Sequence, residues 1–155
     1  MKNHWAMEFY DRASSLGIPS KIDNMVNGWV ETVKFRNKIY FTKSSTYNLS
    51  RSQYFQGVDP PKIHEHGDYV LICGGVNNVL TDIFIIPWNP FFTTIRQGEA
   101  INTYKPPREY FQYKFYLRNR EARWRMSVQG GIKPVLDVTE WHYNPKQALN
   151  FIEAT

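Results

Sequence analysis

Between Lys105 and Lys133 eight Lys or Arg stand against two Glu, the densest concentration of chemically capable side chains in the chain. There Tyr110, Phe111, Tyr113, Phe115, Tyr116 and Trp124 interleave with Lys114, Arg118, Arg120, Arg123 and Arg125. Cationic side chains gain free energy by displacing counterions condensed on a phosphate backbone, and aromatic faces stack on exposed bases. Strand alternation places Arg123 and Arg125 on one face and Trp124 on the other. Lys114, Arg118, Arg120, Arg123 and Arg125 are therefore candidate nucleic-acid contacts. The same residues also describe a hairpin with a solvated basic face and an aromatic core face.

Other groups carry weaker signals. Glu31 and Lys43 lie on two consecutive strand-like runs, with Glu8 upstream. They read either as a catalytic set or as an exposed cross-strand pair. Trp29, Trp88, Trp124 and Trp141 are candidate walls of a base-stacking cage, against the commoner role of Trp as a core residue. His64-Glu65-His66 lacks the further His or Cys that a metal site needs. His142, between Trp141 and Tyr143, reads as a satisfied structural histidine. Gly74-Gly75 lacks nucleotide-loop spacing and reads as a turn after a strand, helped by Asn77-Asn78.

These side chains must be positioned by short elements. Trp5, Met7, Phe9, Ala13 and Leu16 have helical spacing that ends at Gly17 and Pro19, and a polar joint follows. Trp29 to Phe35 and Ile39 to Lys43 alternate as a hairpin about Arg36-Asn37-Lys38. Ser44 to Ser52 reads as a loop and Gln53 to Val58 as a strand stopped by Asp59-Pro60-Pro61. Asp68 to Cys73 and Asp82 to Ile86 are almost continuously apolar, as in strands covered on both faces. Asn89-Pro90 opens a helix carrying Phe91, Phe92 and Ile95. Tyr110 to Leu117 and Ala122 to Val128 form a second hairpin, Val135 to Val138 a short strand, and Pro145 to Ile152 a closing helix.

The chain has 155 residues, 42% hydrophobic and 21% charged, which suits one folded domain over 1–155. Within it a sheet core of about 1–104 precedes a basic β unit of about 105–155, with Lys105-Pro106-Pro107 as the candidate internal boundary. Aromatic residues make up 16%, and the formal charge is +5 with a pI near 9.3. One cysteine, Cys73, excludes an internal disulfide and a cysteine-rich zinc site. No apolar run approaches the roughly 20 residues of a membrane span, and the first residues lack a signal peptide's apolar stretch, so the chain reads as cytoplasmic with no membrane partner.

Asn27-Gly28-Trp29, Lys38 to Ser45, Tyr54 to Gly57, Asp68 to Cys73 and Ile83 to Trp88 together resemble the PD-(D/E)XK nuclease superfamily, over about Met1 to Gly98. The resemblance implies an α+β fold with a mixed central sheet flanked by helices, and magnesium-dependent cleavage of DNA. Carried over, Glu31 replaces the first acid and Lys43 is the lysine, while Phe41 stands where the second acid belongs. Since a phenylalanine cannot ligate magnesium, either Glu8 joins Glu31 as a metal ligand or the fold persists as a binding domain without cleavage. The rival resemblance is to the PUA-like and B3-like barrels of restriction systems, which read modified or methylated bases without metal. The leading expectation is a DNA-binding domain of a restriction or host-defence protein, possible as an endonuclease with Mg and otherwise needing no cofactor. A homodimer or association with a larger restriction complex is compatible with it. The alternatives are a reader of modified DNA and a protein-interaction domain.

Overall fold

The computed structural model describes residues 4–58, 65–97, 113–128 and 135–155. Asp59, Pro60, Pro61, His64, Lys105, Pro106, Pro107, Tyr110, Phe111 and Lys133 lie outside them, and with them the proposed internal boundary.

Helix α1 (His4–Ser15) buries Trp5, Ala6, Phe9 and Ala13 along one face. It ends where Gly17, at φ +79°, turns the chain back. There Gly17 N donates to Ser14 O and Ile18 N to Ala13 O, which satisfies two of the last helical carbonyls. Three strands follow as an antiparallel meander: β1 (Ser20–Val26), β2 (Trp29–Phe35) and β3 (Lys38–Thr46). Asn27 and Gly28, both at positive φ, close the first turn. The expected polar joint is thus partly a strand. β1 is an exposed edge whose Lys, Asp and Asn residues hide any apolar alternation.

After the 47–52 turn, β4 (Gln53–Val58) leaves this sheet for another. β5 (Tyr69–Val76) then lies parallel to β3, and β6 (Val79–Pro87) returns antiparallel to β5. Their centres are buried on both faces, as the apolar runs predict. The expected turn at Gly74-Gly75 falls instead at Asn77-Asn78, both at positive φ. Both glycines sit inside β5 because aromatic rings occupy the space of their side chains: a Cβ on Gly74 would stand 2.5 Å from Tyr54 Cζ, and one on Gly75 2.7 Å from Trp5 Cη2.

Helix α2 (Trp88–Gln97) buries Trp88, Phe91, Phe92 and Ile95. β7 (Tyr113–Arg120), β8 (Arg123–Val128) and β9 (Val135–Asp137) form an antiparallel set to which β4 adds, in the order β4-β7-β8-β9. A 3-10 turn (Thr139–Trp141) and β10 (His142–Tyr143) carry the chain back to the far edge of the first sheet, beside β6. Helix α3 (Pro145–Ala154) starts at a reciprocal cap in which Asn144 and Gln147 each bond the other's backbone N–H, with Pro145 in the first turn.

The class is α+β: a mixed six-stranded sheet, a four-stranded antiparallel sheet and three helices among the described residues, where neither sheet closes into a barrel. Helices α1 and α3 pack on one face of the first sheet, around Phe9, Phe35, Tyr40, Leu71 and Ile85. On its other face Phe41, Ile72, Phe84 and Ile86 meet α2 and the inner side of the second sheet. The second sheet therefore packs one face on this core, and its other face carries the exposed residues Phe55, Arg120, Arg123 and Arg125. No helix among the described residues is long and apolar enough to cross a membrane.

Candidate functional site

Alternation fixes what the solvent face of the second sheet displays. Tyr113, Phe115 and Leu117 point inward from β7, which turns Lys114, Tyr116, Arg118 and Arg120 outward. On β8 Trp124 and Met126 are buried while Arg123 and Arg125 are exposed, and on β4 Tyr54 is buried while Phe55 is 45% exposed. Register aligns these outward positions across the sheet: Gln53 and Arg125 flank Arg118, Phe55 and Ser127 flank Tyr116, and Arg123 faces Arg120. All five predicted basic contacts thus share one face.

Aromatic rings lie among the cations. Phe55 and Tyr116 pair with centroids 5.2 Å apart, and the Arg118 guanidinium lies 4.8 Å over the Tyr116 ring. Arg118 Nε also donates to Gln53 Oε1 at 2.8 Å. Arg123 pairs with Asp137 at 2.9 Å. The Asp137 carboxyl is held down at about 2 by the Thr139 backbone N–H and side chain, and then by Arg123. Like charges directly opposite one another destabilise a sheet, yet Arg118 faces Arg125 and Arg120 faces Arg123.

At one rim this face ends in a cleft of about 420 Å³, where Ser50, Arg51 and Ser52 confront Arg118, Asn119 and Arg120. Asn48 shapes the turn, its Oδ1 accepting from Ser50 Oγ at 2.8 Å and from Arg51 N at 3.1 Å. Tyr47 Oη donates to Asn119 Oδ1 at 2.5 Å and ties the turn to β7. Neither Arg51 nor Phe55 was among the contacts expected from the sequence, because both are brought in by β4, sixty or more residues upstream of the residues they join. The outward alternation of Phe55 opposite Tyr54 was the available signal.

Of the residues expected to be catalytic, Glu8 and Lys43 are not gathered in this way. Glu8 lies on α1, paired with Arg12 at 3.7 Å. Phe41 is buried against Trp88 and Phe92 on the opposite face of the first sheet from α1, and Lys43 Nζ lies 5.3 Å over the Phe41 ring. The sheet therefore stands between Glu8 and Lys43. Glu31 accepts a hydrogen bond from Asn24 Nδ2 at 2.7 Å. Among the described residues no group of three or more His, Cys, Asp or Glu is assembled as a metal site. The four tryptophans do not line an exposed cage. Trp88 and Trp124 are core residues at 6% and 8% exposure, Trp141 packs half-buried against that core, and Trp29 is 48% exposed beside the β1–β2 turn.

Beneath the second sheet lies a polar network that sequence reading caught only at His142. Asp82 accepts from the Tyr54 hydroxyl and from Thr81 Oγ1, and its Oδ1 lies 2.7 Å from His142 Nε2. Burial alone would raise the Asp82 carboxyl, but the His142 and Tyr54 hydrogen bonds bring it below its ordinary value. Burial, and then the bond to Asp82, raise the Tyr54 hydroxyl far out of the physiological range. His142 and Tyr54 both pack on Trp124, at 5.0 and 5.9 Å, so the network braces the β8 strand that carries Arg123 and Arg125.

No protein-family model matches the chain, and no curated protein or solved structure matches it.

Proposed function

We propose that the chain binds single-stranded nucleic acid, DNA in the first instance, along the solvent face of the β4-β7-β8-β9 sheet. The observation that carries this reading is the pair of like-charge registers, Arg118 opposite Arg125 and Arg120 opposite Arg123, beside the outward-facing Phe55–Tyr116 pair, of which Phe55 is exposed. Asp137 neutralises Arg123 alone, so folding gains nothing from the other like charges, whereas a polyanion relieves them. Guanidinium groups bond phosphate oxygens in pairs, and rings between them offer faces to unpaired bases. The buried side of the same strands holds the face rigid, so little order is lost on binding.

The test is fluorescence anisotropy with a labelled single-stranded oligodeoxynucleotide, titrated over a range of salt, with a duplex of the same sequence in parallel. Five or six neutralised phosphates predict a slope of about −4 in log affinity against log salt. Phe55→Ala and Tyr116→Ala should each weaken the single strand by about 1 kcal/mol or more and the duplex by less. Affinity insensitive to salt, or absent at 50 mM salt, would remove the reading.

A protein-interaction role is favoured by one separate observation: Met25, Val26 and Trp29 are exposed together around the Asn27-Gly28 turn. An apolar hairpin tip of this kind meets protein surfaces more readily than phosphates. Trp29→Ser would leave oligonucleotide affinity unchanged if the tip serves a separate partner.

A further inference from the structure

The rim cleft has a composition that a passing phosphodiester chain does not require. Arg51 comes from the 47–52 turn, Arg118 and Arg120 from β7, and Ser50 and Ser52 add hydroxyls to the same concave space. Among the described residues none that lines it is a carboxylate, and no acidic side chain pairs with Arg51, Arg118 or Arg120. Three like charges around one hollow repel each other and concentrate positive potential within it. The walls are held in place despite this. Gln53 and Asn48 pair as an isolated bridge, Asn48 bonds both Ser50 and Arg51, and Ser52 adopts φ +52°, a backbone region serine seldom occupies. A strained turn kept beside an uncompensated charge cluster is the arrangement found where a ligand supplies the missing interactions.

We infer that this cleft receives a phosphomonoester, the terminal phosphate of the bound strand; the inference rests on the nucleic-acid reading above. A phosphomonoester carries about −1.5 to −2 charges and three acceptor oxygens near pH 7, against a single charge on an internal diester. Three guanidinium forks with hydroxyls beside them match the more highly charged group. Position points the same way. The outward row Lys114, Tyr116, Arg118, Arg120 runs along β7 toward the rim, and β7 ends at Arg120 where the chain reverses through Glu121-Ala122. A strand tracking that row meets the cleft as it leaves the sheet, so the cleft reads its end.

The experiment compares single-stranded dodecamers ending in a 5′-hydroxyl, a 5′-phosphate or a 3′-phosphate, with an unphosphorylated tridecamer controlling for one added charge. One phosphorylated end should bind about tenfold tighter than both unphosphorylated strands, as expected for charge-assisted bidentate contacts. Arg51→Gln should abolish that preference, so that phosphorylated and unphosphorylated strands bind alike. Equal affinities for all four strands would overturn the inference while leaving the binding face intact. A nucleoside monophosphate that binds as tightly as the phosphorylated strand, or a phosphoserine peptide preferred to it, would also overturn it. Loss of every oligonucleotide complex would instead bring down the underlying reading.

Discussion

Arg125→Gln separates binding from folding, because the two should respond with opposite sign. In the free protein Arg125 faces Arg118 across the β7–β8 ladder and Asp137 across β8–β9. The Asp137 carboxylate is already engaged by Arg123 and by the Thr139 N–H, which leaves it little to offer Arg125. Two charges about 6 Å apart in a water-like dielectric repel by roughly 0.7 kcal/mol before salt screening. Removing one should therefore leave the fold as stable as before or up to about 0.5 kcal/mol more stable, a rise in Tm of about 1–2 °C for a chain of this size. Binding should weaken. With a single-strand slope near 0.7 per contact, and counterion release contributing nothing at 1 M salt, one lost phosphate contact amounts to about fivefold in affinity at 0.1 M salt. The slope itself should become shallower by about 0.7. Thermal unfolding and a salt-series anisotropy titration measure both arms. A variant that loses more than about 1 kcal/mol of stability while keeping its affinity would show that Arg125 serves the fold, and the reasoning from like-charge registers would fail.

Four further perturbations test the structure beneath the face. Gly74→Ala places a methyl group in the Tyr54 ring and should cost about 1–3 kcal/mol by urea unfolding; a neutral result would refute that packing. Asp82→Ala strips partners from Tyr54, Thr81 and His142 and should cost about 2–4 kcal/mol, with Tyr54→Phe costing less. The Glu121-Ala122 turn holds both residues at positive φ, so Ala122→Gly should stabilise by about 0.5–1 kcal/mol; destabilisation would contradict the turn geometry. Because the folded Asp137 carboxyl sits near 2, below its ordinary value of 3.8, it adds stability that is complete above that ordinary value and fades as pH falls toward 2. Asp137→Asn should accordingly narrow the stability difference between pH 5 and pH 2.5, and an unchanged difference would discount the Thr139 and Arg123 bonds.

The amino-acid sequence by itself determined what depends on neighbours in the chain. Helical spacing before Gly17 located α1, Pro145 to Ile152 read as the closing helix that became α3, and unbroken apolar runs marked β5 and β6 as covered on both faces. Period-two alternation placed Arg123 and Arg125 opposite Trp124, and it held because Trp124 and Met126 have a core to enter. Tertiary structure alone decided how distant segments meet. β4 is no more strand-like than β3, but its pairing with β7 brings Phe55 to Tyr116 and sets the Arg51 turn against Arg120, and the reward for that pairing lies in the second core beneath it. Gly74 and Gly75 read as a turn until the rings of Tyr54 and Trp5, distant in sequence, fill the space beside them. Glu8 and Lys43 looked like partners along the chain, and a sheet came between them, because facing direction is set by which side of a strand finds the core.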